Sequence, residues 1–507
     1  MKIKFRLGDI KYSYEGELNE LYNHFSQLLS SFSRYQADFL SKLYSNVPPG
    51  FLSHDMGKLF QDYLHMKKAK NGYNPEDPNS MPANGHDIYN YVARYGLANC
   101  QIQAVIHLDG QLDFDRLSHA VRLSIDMQPV LGSRFIENEP PYWKRISNLD
   151  KTDFCSKEET ENPEASIKRF LETQLDMDHD AMIKVRLIRS GQYDTLCLKL
   201  NHACCDGGAV KEYIGLLSQI YSDMDADGTF TAEPVKRNRK DQDRLFSSLG
   251  IADPEKEWIA GSEITKATWP FPWKHVQTDR YRIAVCKLPP EQFEEMVLYS
   301  KARAATINDL VLTAYYRAMA QTGNAVYDEA MEIPVTVDLR RYLPDRRTEA
   351  LRNFSGSEFT KLTLVPNESF EDTLSRVISM MKEIKNNRPG LQSAIGLERI
   401  EKMSFSETLA YYKMVAQWPY SCSDKCAPVL SNLGFVAEAG IKFGETEVPD
   451  AYIVPPVVRA PSFLLMVSTY NGIMTLAAGI YESTVPLEKI ETLLNRVKTE
   501  LIDGCQL

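Results

Sequence analysis

The feature that most constrains the fold is a strand that ends in a polar turn and is followed at once by a helix. Between residues 196 and 201 leucines alternate with other residues at every second position, the period of a β-strand. Two glycines follow, and apolar residues then recur at helical spacing over residues 210–221. His202 stands at this junction, and Asp206 precedes the first turn of the helix. Functional side chains often occupy such junctions, because a rigid scaffold holds a short exposed turn.

Residues 202–207 read His-x-x-x-Asp-Gly. This pattern resembles the active-site motif of the superfamily of condensation domains and acyl-CoA-dependent acyltransferases, which includes stand-alone alcohol and amine acyltransferases. Several members carry a second histidine before the catalytic one, and Asn201 stands there instead. The resemblance covers residues 85–507. It implies an α/β fold of two chloramphenicol-acetyltransferase-like lobes, with mixed sheets flanked by helices.

The resemblance assigns the role of general base to His202. Acyl transfer from a thioester needs the acceptor's proton removed as its oxygen or nitrogen attacks the carbonyl, and a histidine suits this because its ordinary pKa is near neutral. The alternative is a structural histidine at the end of a strand. Asp206 is assigned a structural role by the resemblance, pairing with an arginine of the other lobe. Its alternatives are a helix N-cap or an ordinary surface acid.

The candidate partner of Asp206 is Arg340. We prefer it to Arg341, because residues 338–340 read Asp-Leu-Arg and best match the family's Asp-x-Arg. An Asn/Gly element is expected downstream, and residues 353–356 read Asn-Phe-Ser-Gly. Removing one member of a buried pair would damage folding as well as activity.

Two further elements are candidates for contact with the substrate. Gly207 and Gly208, at the start of a helix, could donate N–H groups to an oxyanion, or merely permit a sharp turn. Ser431 and Asn432 belong to a Ser-Asn-x-Gly element that resembles a channel-lining strand of stand-alone acyltransferases. Asn432 could bond to substrate or oxyanion; the alternative is a turn that leaves a strand.

Cys204 and Cys205 beside His202 raise two other interpretations. A zinc site is disfavoured, because three ligands within four residues cannot easily surround one ion and no fourth ligand is evident. A cysteine nucleophile served by His202 is not required if the acceptor attacks directly. We therefore expect no metal and no bound cofactor.

The chain divides into three segments in this interpretation. Residues 1–84 form a helical N-terminal extension, with a short strand or hairpin at 2–14 and a linker at 71–85, and residues 85–255 and 278–507 form the two lobes. An apolar stripe over residues 18–43 either packs on the body of the chain or forms a homodimer interface.

Charge and apolar patterning exclude some function classes. The net charge of −10 argues against general nucleic-acid binding, and no run of about 18 apolar residues predicts a membrane span. The chain start lacks the apolar region of a signal peptide. Nine cysteines without zinc-like pairs fit a reducing cytoplasm.

The predicted function is transfer of an acyl group from a thioester to a hydroxyl or amine of a small-molecule acceptor. The co-substrate is a coenzyme A thioester. One alternative is a free-standing condensation enzyme whose donor is a phosphopantetheine thioester on an acyl or peptidyl carrier protein. The basic run at residues 236–240 would then be its docking site, although most such runs are solvated linkers. Another alternative is a catalytically silent binding scaffold that acts through residues 1–84.

Overall fold

The computed structural model describes residues 2–7, 10–15, 73–225, 228–230, 233–235, 240–259, 267–271, 280–323, 326–327, 329–417, 425–482 and 484–506. The predicted helices of the N-terminal extension, the candidate dimer stripe at 18–43 and residues 236–239 of the basic run lie outside these residues. Of the extension, the structure describes an antiparallel hairpin in which Leu7 is paired with Ile10, where the sequence predicts a strand or hairpin.

The described strands and helices have the following bounds. The strands are β1 Lys2–Leu7, β2 Ile10–Glu15, β3 Ser80–Pro82, β4 Gln101–His107, β5 Ser133–Ile136, β6 Tyr142–Arg145, β7 Cys155–Glu159, β8 Ile183–Ser190, β9 Tyr193–Asn201, β10 Trp269–Pro270, β11 Tyr281–Leu288, β12 Ala330–Asp338, β13 Ser355–Thr363, β14 Lys425–Phe435, β15 Lys442–Phe443, β16 Thr446–Glu447, β17 Asp450–Val454, β18 Ser462–Tyr470 and β19 Ile473–Tyr481. The helices are α1 Gly85–Val92, α2 Phe114–Met127, α3 Pro163–Leu171, α4 Gly207–Asp223, α5 Lys240–Ser248, α6 Pro290–Ala302, α7 Ile307–Thr322, α8 Phe370–Asn386, α9 Leu391–Lys402, α10 Phe405–Gln417 and α11 Leu487–Cys505.

The fold is α/β and has two lobes, each built on a mixed sheet. The N-terminal lobe has a five-stranded sheet in the order β17-β4-β9-β8-β7 and a smaller sheet in the order β3-β6-β5. The C-terminal lobe has a seven-stranded sheet in the order β11-β19-β18-β14-β12-β13, with β10 added beside β14. Among the described helices, none is long and apolar enough to cross a membrane.

The alternation that predicts β9 is visible in its packing. Leu196, Leu198 and Leu200 lie in the main core cluster of the N-terminal lobe, which also contains the buried face of α4. Cys197 points the other way, into a separate cluster with residues of α3 and β17. Both faces of the strand are therefore covered, which is typical of a central strand in a layered α/β fold.

The two lobes share one strand. β17 lies late in the chain, yet it pairs antiparallel with β4 of the N-terminal lobe, with Tyr452 opposite Val105. Residues around it, such as Phe443 and Ile453, also lie in the N-terminal core cluster. The chain therefore passes from the C-terminal lobe to the N-terminal lobe at β17, and it rejoins the C-terminal sheet at β18.

Two regions differ from their sequence-based description. Residues 71–85 were expected to form a linker, but β3 lies there and pairs with β6, and Asn84 caps α1. Between β13 and β14 the sequence predicts no helix or strand, but the structure has the helices α8, α9 and α10. Helix α9 packs on α1 and on β13, so it contacts both lobes.

Candidate active site

The end of β9 is fixed on both sides before the chain turns. The N–H of Asn201 donates to the carbonyl of Met182 at 2.8 Å. The N–H of His202 donates to the carbonyl of Cys100 at 2.7 Å. Neighbouring backbone on both sides therefore sets the position of the His202 Cα, and its side chain is half-buried.

One ring nitrogen of His202 faces two acceptors. Its Nδ1 lies 2.9 Å from the carbonyl oxygen of Cys205 and 3.1 Å from Oδ1 of Asn353. The orientation of the Asn353 amide follows from its other end, where Nδ2 donates to the carbonyls of His202 and Ala203 at 2.8 and 2.9 Å. A nitrogen that faces two oxygens must carry the proton, so the neutral ring keeps its lone pair on Nε2.

Asp206 is buried at the N-terminus of α4 and accepts from both lobes. Its Oδ1 accepts from the N–H of Ala209 at 2.8 Å, which caps the helix. Its Oδ2 accepts from the N–H of Phe354 in the C-terminal lobe at 2.7 Å. Burial alone would raise the pKa of this carboxyl, but the adjacent Arg340 guanidinium outweighs burial, and the pKa is lowered.

Arg340 lies where the sequence analysis expected a partner for Asp206. Its Nη1 and Nη2 each lie 3.1 Å from a carboxylate oxygen of Asp206, a bidentate pair. Two more carboxylates approach the same guanidinium, Glu212 at 3.2 Å and Asp338 at 3.2 Å. Burial raises the pKa of Glu212 to about 7 despite the nearby arginine. The exposed neighbour Arg341 stacks on Tyr342 instead.

The two glycines after Asp206 lie in close contact with the C-terminal lobe. A Cβ on Gly207 would lie 2.6 Å from Cδ2 of Leu433, and one on Gly208 would lie 2.6 Å from Nη1 of Arg340. Only glycine lets the first turn of α4 come this near to β14 and to the guanidinium. Asp206 caps the N–H of Ala209 in this turn, whereas the N–H groups of Gly207 and Gly208 have no acceptor within the helix and are available to a ligand.

Ser431 and Asn432 bond within the C-terminal lobe. Ser431 Oγ accepts from Oγ1 of Thr336 at 2.9 Å. Asn432 Oδ1 accepts from the N–H of Gly434 at 3.0 Å, and its Nδ2 donates to Asn308 at 3.4 Å. These contacts hold the end of β14, and their role toward a substrate stays a prediction.

The surface next to Ser431 faces the gap between the lobes. Met466, paired with Ser431 across β14 and β18, lies in the N-terminal core cluster, so this face of the C-terminal sheet is turned toward the N-terminal lobe. Thr336 and Asp338 are nevertheless exposed on the same face, although β12 is an interior strand. Solvent therefore reaches the sheet close to the Asp206–Arg340 pair.

Asn353 is a site residue that is not identified from the sequence. It is the first residue of the Asn-Phe-Ser-Gly element, which resembles a family element but predicts no role for Asn353. In the structure Asn353 is fully buried and reaches across the lobes to His202, as described above. The position of this element downstream of Arg340 pointed to the site, but the sequence does not show that residues 202 and 353 lie close together in space.

Cys204 and Cys205 follow His202 closely in the chain, but neither is exposed to solvent. Both are buried in the N-terminal core cluster, and both thiols lie near the carbonyl of Asn201, at 3.1 and 3.8 Å. Cys205 contributes to the site through its backbone carbonyl, which holds His202 Nδ1. Within the described part of the chain, no three His, Cys, Asp or Glu side chains are placed to hold a metal ion.

Comparison with known proteins gives one family and many similar folds. The Condensation domain family matches residues 97–326. The first condensation domain of the calcium-dependent antibiotic synthetase, solved with a substrate analogue, is similar with a TM-score of 0.62 and 16% identity, over 85% of this chain and 97% of that chain.

Two further solved structures are similar to this chain. The trichothecene 15-O-acetyltransferase TRI3 from Fusarium sporotrichioides has a TM-score of 0.61 and 12% identity, over 84% of this chain and 96% of that chain. Polyketide synthase associated protein 5 from Mycobacterium tuberculosis has a TM-score of 0.58 and 15% identity, over 83% of this chain and 98% of that chain. No curated protein matches the chain in sequence.

Proposed function

We propose that the chain, whose residues 97–326 match the Condensation domain family and whose fold is similar to that of an O-acetyltransferase, transfers an acyl group from a thioester to a hydroxyl or amine acceptor. His202 is the general base. The donor is an acyl-CoA and the acceptor is a small molecule, so the product is an ester or an amide.

The observation that carries the proposal is the orientation of the His202 ring. Two oxygens hold the proton on Nδ1, so Nε2 is the basic nitrogen. A base that is already in the correct tautomer needs no rearrangement before it accepts a proton. Such a base typically contributes about 10²–10⁴-fold to the rate.

One base is sufficient for both proton transfers of the reaction. Nε2 takes the proton of the acceptor while the acceptor's oxygen or nitrogen bonds to the thioester carbon. The tetrahedral intermediate then expels the thiolate as the C–S bond breaks, and the imidazolium returns its proton to the sulfur. We assign stabilisation of the oxyanion to the first-turn N–H groups of α4, at Gly207 and Gly208, because they are oriented at the helix N-terminus.

Thiol release tests the proposal directly. The purified protein is incubated with a panel of acyl-CoA thioesters and with alcohol and amine acceptors, and free coenzyme A is measured. We expect acceptor-dependent release that falls by about 10²-fold or more in His202→Ala. His179→Ala is the matched control, since the His179 side chain is exposed and bonds only to Asp176 among the described residues. Full activity in His202→Ala would overturn the assignment.

A second donor class is favoured by the placement of basic residues. Basic residues from two distant parts of the chain lie close together, since Lys240 pairs with Glu349 and Arg244 pairs with Asp345 at 3.0 Å. Arg346 and Arg347 are exposed between those acids. An acidic carrier protein that presents a phosphopantetheine thioester would be attracted to this surface.

Charge reversal separates the two donors. In the double variant Arg346→Glu and Arg347→Glu, transfer from an acylated carrier protein should be lost, whereas transfer from a small pantetheine thioester should be kept. Lys301→Glu, an exposed reversal on α6, is the control. If the double variant keeps full transfer from the carrier, this surface is not the docking site.

A further inference from the structure

The helix α5 lies near the end of the N-terminal lobe segment, residues 85–255, and its first turn is unusually buried for its composition. Asp241 is 0% exposed and Gln242 is 2% exposed. One turn later, Leu245 and Phe246 pack in a cluster with Leu339 and Phe354 of the C-terminal lobe. Burial of a charged and an amide side chain is costly unless specific partners compensate for the lost water.

Both side chains bind the same guanidinium. Oδ2 of Asp241 lies 3.2 Å from Nε of Arg352, and Oε1 of Gln242 accepts from Nη1 of Arg352 at 2.9 Å. Arg352 is itself 1% exposed. Asp241 also accepts from the N–H of Glu349, so it fixes the backbone just before Arg352 as well. A buried charge pair with this many donors has a well-defined geometry.

Arg352 directly precedes the residue that orients His202. The Asn353 side chain contacts His202, and the Arg352 side chain contacts Asp241 of α5. The backbone of the same segment is fixed too, because the Arg352 carbonyl accepts from Nη2 of Arg340 at 3.1 Å. The Asn353 amide is therefore held in place from two directions.

We propose that Asp241 is a positioning residue for the reaction: together with Gln242 it fixes Arg352, and through it the Asn353 amide that keeps the His202 proton on Nδ1. The inference rests on the proposed function, in which His202 is the base. It assigns α5 a share in catalysis although neither Asp241 nor Gln242 touches His202. A displacement of about 1 Å at such a remote position can cost about 10²-fold in rate.

The first test reads the histidine itself and needs no substrate. In the full-length protein with ¹⁵N-labelled histidine, the imidazole signals of His202 are assigned by their loss in His202→Ala. We expect a single Nδ1-protonated tautomer in the wild type and a mixture of tautomers in Asp241→Asn. Asp243→Asn is the matched control, because it is the same substitution at an exposed position of α5.

The second test asks whether Asp241 acts through Asn353. With the acyl-CoA and acceptor that give the fastest thiol release, Asp241→Asn should lower kcat about tenfold or more with little change in KM for the donor. In an Asn353→Ala background the same substitution should change kcat less than twofold, because the intermediate link is already absent. Fully multiplicative losses would overturn the proposal.

The outcomes separate this inference from the proposed function. If His202→Ala keeps full activity, the proposed function fails. If His202→Ala is inactive while Asp241→Asn keeps the wild-type tautomer and kcat, only the inference fails. Should Asp241→Asn not fold, Gln242→Met removes the other contact to Arg352, and an unchanged tautomer and kcat in that variant overturn the inference.

Discussion

Arg340 donates to both carboxylate oxygens of Asp206 at 3.1 Å, and this pair joins the two lobes next to the turn that carries His202. Asp206 comes from the start of α4, and Arg340 follows the end of β12. Both residues are at most 3% exposed. The loop that carries His202 is thus shaped by a contact whose other half lies more than a hundred residues later in the chain.

Loss of the arginine should destabilise the protein as well as inactivate it. Arg340→Ala leaves the carboxylate of Asp206 buried without its main partner, which should lower the free energy of unfolding by about 3–5 kcal/mol. Chemical denaturation measures the change. Arg341→Ala is the control, because Arg341 is exposed and should change stability by less than about 0.5 kcal/mol. A wild-type midpoint in Arg340→Ala would mean that the pair does not stabilise the fold.

Truncation of Asn353 should damage catalysis through the tautomer of His202. Asn353→Ala removes one acceptor at Nδ1 and leaves the carbonyls of His202 and Ala203 without a buried donor. Each unsatisfied buried group costs about 1–3 kcal/mol. We expect kcat to fall by about tenfold or more and stability to fall as well. Wild-type kcat in a folded Asn353→Ala would show that Cys205 alone orients the ring.

The two glycines of the motif should differ in their tolerance of a methyl group. In Gly208→Ala the new Cβ meets the guanidinium of Arg340, which cannot move because Asp206 holds it. In Gly207→Ala the new Cβ meets the end of the Leu433 side chain, which can rotate. Overpacking costs about 1–3 kcal/mol, and we expect the upper part of this range for Gly208→Ala.

A double variant checks the assigned contact. Leu433→Ala should restore most of the stability that Gly207→Ala loses, since it removes the two methyl groups nearest the added Cβ. It should not restore Gly208→Ala, whose clash is with Arg340. Equal rescue of both glycine variants in thermal melts would contradict this account.

The sequence predicted elements whose signal is local. The bounds of α7 follow from Thr306, which caps the helix at Asp309, and from Gly323 just beyond its end. Residues 462–470 and 473–481 have the composition of buried strands and are separated by Asn471 and Gly472, a pattern that predicts β18 and β19 with the bounds that the structure has. The motif placed His202 at the end of a strand for the same local reasons.

What the sequence could not predict depends on contacts across the chain. The pairing of β17 with β4 joins residues more than three hundred positions apart, and no local pattern specifies it. Asn353 was found in a family-like element, but its contact with His202 depends on the packing of one lobe against the other. The sequence of α5 is mostly polar and charged, so the burial of Asp241 was not predictable.

His86 should make stability depend on pH in mildly acidic solution. It is buried in α1 and stacks on Phe354, the residue whose N–H donates to Asp206. Burial lowers the pKa of His86 from 6.5 to about 4, since the charged imidazolium would lose its hydration; Asp87 and Asp206 oppose this shift, and Arg352 and Arg340 add to it. In the unfolded chain the same imidazole titrates near 6.5.

The sign follows from which state binds the proton. Between pH 6.5 and about 4, the unfolded chain takes up a proton at His86 and the folded protein does not, so stability falls as the pH falls. The full difference corresponds to about 3 kcal/mol. Glu212 acts in the opposite direction, because its raised pKa of about 7 lets the folded protein bind a proton first. The wild-type curve alone therefore hides both contributions.

Comparison with His86→Phe isolates the histidine. Phenylalanine keeps the stacking on Phe354 and does not titrate, while Glu212 is unchanged in both proteins. The difference in unfolding free energy between wild type and variant, measured by denaturation from pH 7.5 to pH 4, should move by about 3 kcal/mol in favour of the variant as the pH falls. A difference that stays constant over this range would show that His86 titrates alike in the folded and unfolded states.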